Sequence, residues 1–155
     1  MRMRMKPTRT VLMLTIVVGL LLPLLGCGPT LLIPGGALPG DDAEAPSDWS
    51  FSDEISTIQL ETNPADPYSV NIWAIGLGER LYVHSGANRA TWIEHMETDP
   101  RVRAKVGEQV FALQAERVVS AEEFAIFANA YEKKYGNRPR NENISEVYLY
   151  RLTSR

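Results

Sequence analysis

The only cysteine in this 155-residue chain, Cys27, stands at the end of an apolar leader, and its position decides what is left to build a fold with. Arg2, Arg4, Lys6 and Arg9 make a basic start and residues 11–25 form an uncharged apolar run, the pattern of a secretory signal. Removing residues 1–26 lowers Lys and Arg from 16 to 12 against 19 Asp and Glu, so the formal charge moves from −3 to −7. So acidic a chain is a poor nucleic-acid binder, and that class is set aside. With a single thiol no intrachain disulfide can form even in an oxidising compartment, so the fold must hold by its core alone.

Leu24-Leu25-Gly26-Cys27 resembles the lipobox of bacterial lipoproteins, with branched apolar residues, a small residue before the cut, and a cysteine that takes the lipid. The resemblance implies that Cys27 is acylated and becomes the first residue of the mature protein. Each buried methylene contributes about 0.8 kcal/mol, so two or more acyl chains hold stably where one is marginal. The expected place is the cell envelope, on the outer membrane or the outer face of the plasma membrane. Gly28 supplies no retention aspartate, which favours the outer membrane where there are two. Two other readings stand beside this one. An uncleaved membrane helix needs about 20 apolar residues, and Pro23, Gly26, Gly28 and Pro29 interrupt the run. Ordinary signal cleavage would leave a soluble protein with a spare thiol.

After Cys27 the composition changes. Pro29, Pro34, Pro39 and Pro46 alternate with Gly35, Gly36 and Gly40, and Asp41, Asp42 and Glu44 add charge. Residues 27–48 therefore read as the lipidated cysteine and a stiffened tether that stands a domain off the bilayer, and residues 49–155 as that domain.

Within the domain, strand patterns fall at 55–62, 68–75, 80–84, 101–106, 109–119 and 146–152. In the second of these Val70, Ile72 and Ala74 share one face. In the fourth Val102, Ala104 and Val106 point inward, while Arg101, Arg103 and Lys105 read as the solvated face of an edge strand. Residues 90–97 make a short helix ended by Asp99-Pro100. Ser120 with Glu123 forms a capping box for a longer helix, in which Phe124, Phe127, Ala128, Tyr131 and Tyr135 recur at helical spacing before Gly136. That aromatic stripe reads as core packing. The expected fold is mainly β within α+β: a six-stranded antiparallel split β-barrel with one short and one longer helix, a helix lying across the barrel opening.

The series Val70-Asn71-Ile72-Trp73, Arg80-Leu81-Tyr82-Val83-His84-Ser85-Gly86, Thr91-Trp92-Ile93-Glu94-His95, Asp99-Pro100-Arg101-Val102 and Val106-Gly107 resembles, in order and spacing, the pyridoxamine-phosphate oxidases and deazaflavin-dependent nitroreductases. The resemblance covers about residues 55 to 135. It implies FMN or a deazaflavin held at a homodimer interface, with hydride passing to a small-molecule acceptor such as a quinone or nitro compound. The matching positions are His84, Ser85, Gly86, Asn88, Arg89 and Trp92. Ser85 and Gly86 would offer a hydroxyl and backbone donors to a phosphate, Arg89 would pair with it, and Trp92 would pack near the ring or lock its helix down.

One departure weakens the cofactor expectation. The deazaflavin enzymes carry a basic Gly-Arg-x-Ser-Gly turn where this chain reads Glu61-Thr62-Asn63-Pro64-Ala65-Asp66-Pro67, and no Lys or Arg lies between Asp53 and Glu79. Cofactor use is therefore open between FMN, a deazaflavin and none, and with it the choice between a binding module and an oxidoreductase. No metal site is expected: His84 and His95 lie eleven residues apart with no free cysteine beside them. Glu94, Glu97, Glu122 and Glu123 read as solvated helix charges rather than a hydrolytic pair.

Overall fold

The computed structural model describes residues 35–155, so the signal, Cys27 and residues 28–34 lie outside the described residues. The strands are β1 (Asp42–Ala43), β2 (Ile58–Thr62), β3 (Tyr68–Ile72), β4 (Ala74–Leu77), β5 (Arg80–Ser85), β6 (Arg101–Val106), β7 (Gln109–Arg117) and β8 (Tyr148–Ser154). The helices are α1 (Thr91–Thr98) and α2 (Ala121–Tyr135), and Ser50–Glu54 forms a 3-10 turn. Among the described residues no helix is long and apolar enough to cross a membrane.

Seven strands run in the order β3-β2-β6-β7-β8-β5-β4, every pair antiparallel. The two ends of that path are consecutive in sequence. β3 and β4 are joined by Trp73 alone, so one bend carries the chain from one edge of the curled sheet to the other and closes the half-barrel covalently. The six expected strands thus become seven, because the 68–75 strand is two, and β1 is an eighth. The bend forms where Trp73 turns out of the ladder to stack on Tyr135, ring centroids 4.5 Å apart. The Tyr135 hydroxyl meets the backbone the ladder has let go: it accepts from Ala74 N–H at 3.1 Å and lies 3.0 Å from the carbonyls of Ala74 and Ser56. The inward parity of Val70, Ile72 and Ala74 survives the bend, all three packing in the barrel.

Alternation along each strand makes two cores. Leu81, Val83, Tyr150 and Leu152 face the barrel interior with Leu60, Phe111 and Leu113, while Tyr82, Leu149 and Ile75 face outward beneath α2. The short helix is the one that fills the barrel opening, with Trp92, Ile93 and Met96 buried among the interior residues. Helix α2 lies on the outer face, pressing Phe124, Phe127 and Ala128 against the sheet. Its ends follow the sequence: Ser120 accepts from the Glu123 N–H, and Gly136 adopts the left-handed conformation at φ 78°.

Two expectations are corrected together. β6 is no edge strand, since it lies between β2 and β7, and Arg103 is mostly covered. Its guanidinium donates to Asp42 Oδ1 (2.7 Å), to the carbonyls of Leu38 (2.9 Å) and Gly40 (2.6 Å), and to Glu61 Oε2 (3.3 Å). Glu61, itself buried, accepts from the Leu38 N–H. From Gly35 onward the segment read as a free tether is thereby docked on the barrel. Gly35 bridges Ser69 on the outer side of β3, Leu38 is 5% exposed, and β1 pairs in parallel with Val110 and Phe111 of β7. β8 pairs with β7 only from Leu113 on, so β1 covers an edge that would otherwise be open. The compositional cue failed because Pro and Gly mark absence of helix and sheet, not absence of contact.

Gly76 sits where the 3-10 turn crosses β4, and a Cβ there would stand 2.3 Å from the Trp49 carbonyl oxygen and 2.6 Å from Ser52 Oγ. Backbone cannot yield as a flexible side chain does. Gly76→Ala should therefore destabilise the domain by about 1–3 kcal/mol in urea unfolding, whereas Gly86→Ala, with nothing within 4 Å of the added carbon, should leave the midpoint near wild type.

Candidate functional site

β5 runs with Leu81 and Val83 inward and Tyr82 and His84 outward, so the strand itself delivers His84 to the underside of α2. There the imidazole lies among rings, 5.5 Å from Phe127, 6.2 Å from Tyr131 and 6.3 Å from Phe124 between centroids. Ala74 pairs with Val83, which sets the bend at Trp73 beside the end of β5. A cleft of about 820 Å³ opens at this point. Trp73, His84 and Tyr131 form its aromatic side, Gly86 to Asn88 one rim, and the loop bearing Arg138 and Arg140 the other.

The sequence-predicted residues divide. His84, Gly86 and Asn88 line the cleft. Ser85 adjoins it, but its hydroxyl donates to the Asn88 carbonyl at 2.9 Å and so fixes the loop. Arg89 is turned along α1 to Glu97 and Glu94. Trp92 is buried in the barrel with its ring edge-on to Tyr150 at 6.2 Å, which makes it the lock of its helix. His95 is apart from His84, bonded to Thr62 Oγ1 at 3.0 Å and edge-on to Tyr68. Among the described residues no group of three His, Cys, Asp or Glu side chains gathers to hold a metal.

The sequence reading did not identify Trp73, Tyr131, Arg138 and Arg140 as site residues. Tyr131 packs against the core beside Phe127, ring centroids 5.6 Å apart, as the helical spacing implies, and its remaining surface also lines the cleft. The usable signal was Trp73, an aromatic on the polar face of an alternating strand, and it is 48% exposed. Arg138 is held by Glu142, Glu132 and Asn129 and fixes the loop. For Arg140, ion pairing is absent among the described residues, leaving it the available cation of the rim.

Burial among the rings pulls the His84 pKa down from 6.5 to about 4, and its Nε2 is buried with no hydrogen-bond partner among the described residues. The imidazole is therefore neutral at physiological pH. Because the unfolded state binds the proton more tightly, stability is complete above about pH 6.5 and declines as pH falls toward 4. The loss should amount to no more than about 3 kcal/mol. Urea unfolding at pH 7 and pH 4.5 should show this decline in the wild type and a smaller one in His84→Leu.

No family model matches the sequence, and no curated protein matches it as a relative. Solved structures do match in fold. A Listeria innocua protein ascribed to the pyridoxamine 5'-phosphate oxidases aligns over 67% of this chain and 87% of its own, with TM-score 0.53 and 11% identity. A Bacteroides thetaiotaomicron protein ascribed to 5-nitroimidazole antibiotic resistance aligns over 78% and 82%, with TM-score 0.52 and 14% identity. A reductase dependent on reduced F420 aligns over 74% and 99%, with TM-score 0.53 and 11% identity. With its curled antiparallel sheet, its plugging helix and its covering helix, the chain has the split-barrel fold of the pyridoxamine-phosphate-oxidase-like and deazaflavin-dependent reductase proteins.

Proposed function

We propose that this is a lipid-anchored envelope protein whose split barrel binds a small planar ligand in the cleft beside Trp73, without the phosphate grip of a flavin or deazaflavin reductase. One observation carries the reading: the side chains that would seat a phosphate are spent inside the chain. Arg89 is paired with Glu97 and Glu94, and the Ser85 hydroxyl is given to Asn88. The turn between β2 and β3 carries Asp66 and no Lys or Arg, and the last residues of β2 before it include the acidic Glu61. These residues do not fit a phosphorylated cofactor at the place the resemblance implies, since charge-assisted pairs are what such a seat is made of.

What the cleft does offer is an aromatic wall and one cation. Trp73 and Tyr131, centroids 5.9 Å apart, present ring faces to a planar group, and neutral His84 adds a third. Arg140 at the rim suits a neutral or singly anionic ligand. The same wall favours a second reading, an active reductase of quinones or nitro compounds, because an isoalloxazine-type ring would find equal support there. The homodimer expected from the resemblance belongs to either reading, and exposed Val119 and Ile126 support it.

Fluorescence titration separates the two. Trp49 and Trp92 are buried, so quenching reports on Trp73 and should vanish in Trp73→Phe. Riboflavin and FMN should bind alike, whereas a true phosphate seat would favour FMN by about 1.5–3 kcal/mol, tenfold or more. FMN or F420 binding with that advantage, or a bound flavin band in the isolated protein, would overturn the binding-module reading. For the anchor, Cys27→Ser should shift the protein from the membrane to the soluble fraction and abolish incorporation of labelled fatty acid.

A further inference from the structure

The strap formed by residues 35–45 has a mechanical meaning that rests on the anchor reading above. Its first described residue, Gly35, lies on the outer side of β3 and close to the turn between β2 and β3, where Gly36 stands near the Pro67 carbonyl. Arg103, Asp42 and Glu61 pin it from there to β7. Only residues 28–34 separate Gly35 from Cys27. Fully extended, those eight peptide steps reach no more than about 28 Å. A domain of this length has a radius of gyration of about 14 Å and is therefore about 35 Å across. The leash is shorter than the body it holds. Were the chain free up to Asp48, its reach would exceed about 60 Å and the barrel could present any side to the bilayer.

We infer that the strap biases the barrel's facing as well as limiting its height: the end bearing the Asn63–Pro67 turn is held nearer the lipid headgroups than the Trp73 end of β3. Tyr68 and Trp73 are five residues apart along an extended strand, about 17 Å. The cleft beside Trp73 therefore opens toward the aqueous compartment, and its ligands arrive from solution. On a neutral phosphatidylcholine surface the Arg101 and Arg155 side chains beside the turn gain little by attraction, and the leash is what holds it down.

The test uses the acylated protein on phosphatidylcholine vesicles carrying a spin-labelled headgroup quencher. A fluorophore is placed through Ala65→Cys on the turn or Asn88→Cys on the cleft rim. If Cys27 is acylated the introduced thiol is the only one, and labelling stops at one dye per chain. The dye at position 65 should be dimmed at least about threefold more than the dye at position 88. An insertion of about ten Gly and Ser residues between Pro34 and Gly35 should erase the difference, and so should Arg103→Met, which releases the strap. Equal dimming at one dye per chain, or stronger dimming at position 88, overturns the facing while leaving the anchor intact. Two dyes per chain overturn the anchor reading and this inference with it.

Discussion

A single bend at Trp73 makes this sheet a half-barrel. The strand pairing runs unbroken from β3 round to β4, and among the described residues no hydrogen-bonded ladder closes the remaining gap. Closure is left to the covalent chain, and the bend is held because Tyr135 accepts from the Ala74 amide while the Ala74 carbonyl is met by the Tyr135 hydroxyl and the Lys134 ammonium. Backbone groups left unmet at this half-buried corner would weaken it, since unpaired main-chain donors and acceptors cost free energy once water is kept from them. Helix α2 is thereby more than a cover. Its last turn completes the backbone bonding of the barrel, and its middle turns supply the second core.

Much of this was legible in the sequence because it rests on local periodicity. Alternation placed Val102, Ala104 and Val106 inward, the Ser120 and Gly136 caps bounded α2, and the order of short motifs gave the fold class. What alternation could not disclose was where a regular strand breaks, since Val70, Ile72 and Ala74 keep their parity through the bend and the pattern carries no mark of it. Nor could it disclose that Arg103 serves a segment sixty residues away. A basic residue on a polar face looks the same whether it meets water or a strap. Long-range partners of that kind are written in two places at once, and each alone is ordinary.

The candidate site divides in the same way. The approach of His84, Gly86 and Asn88 to one cleft follows from strand parity and a short loop, both local. Arg89 does not join them, because its guanidinium is drawn to Glu94 and Glu97 on the following helix. The motif kept its letters and changed its partners. The fold is shared with the structural neighbours, while the partners of a single side chain such as Arg89 are set by the residues beside it.

The edge-covering by β1 bears on how the protein can be dissected. A fragment begun at Trp49, where composition suggests the domain starts, would lose the cover over Val110 and Phe111 and the bridge on Ser69 together. Arg103 would keep Glu61 but lose Asp42 and the Leu38 and Gly40 carbonyls at the same stroke, and Glu61 would lose the Leu38 amide. Bare strand borders of this sort pair with whatever offers a matching one, and the nearest source is another copy of the same fragment. Such a truncation would polymerise edge to edge, and the indivisible unit is the barrel with its belt fastened.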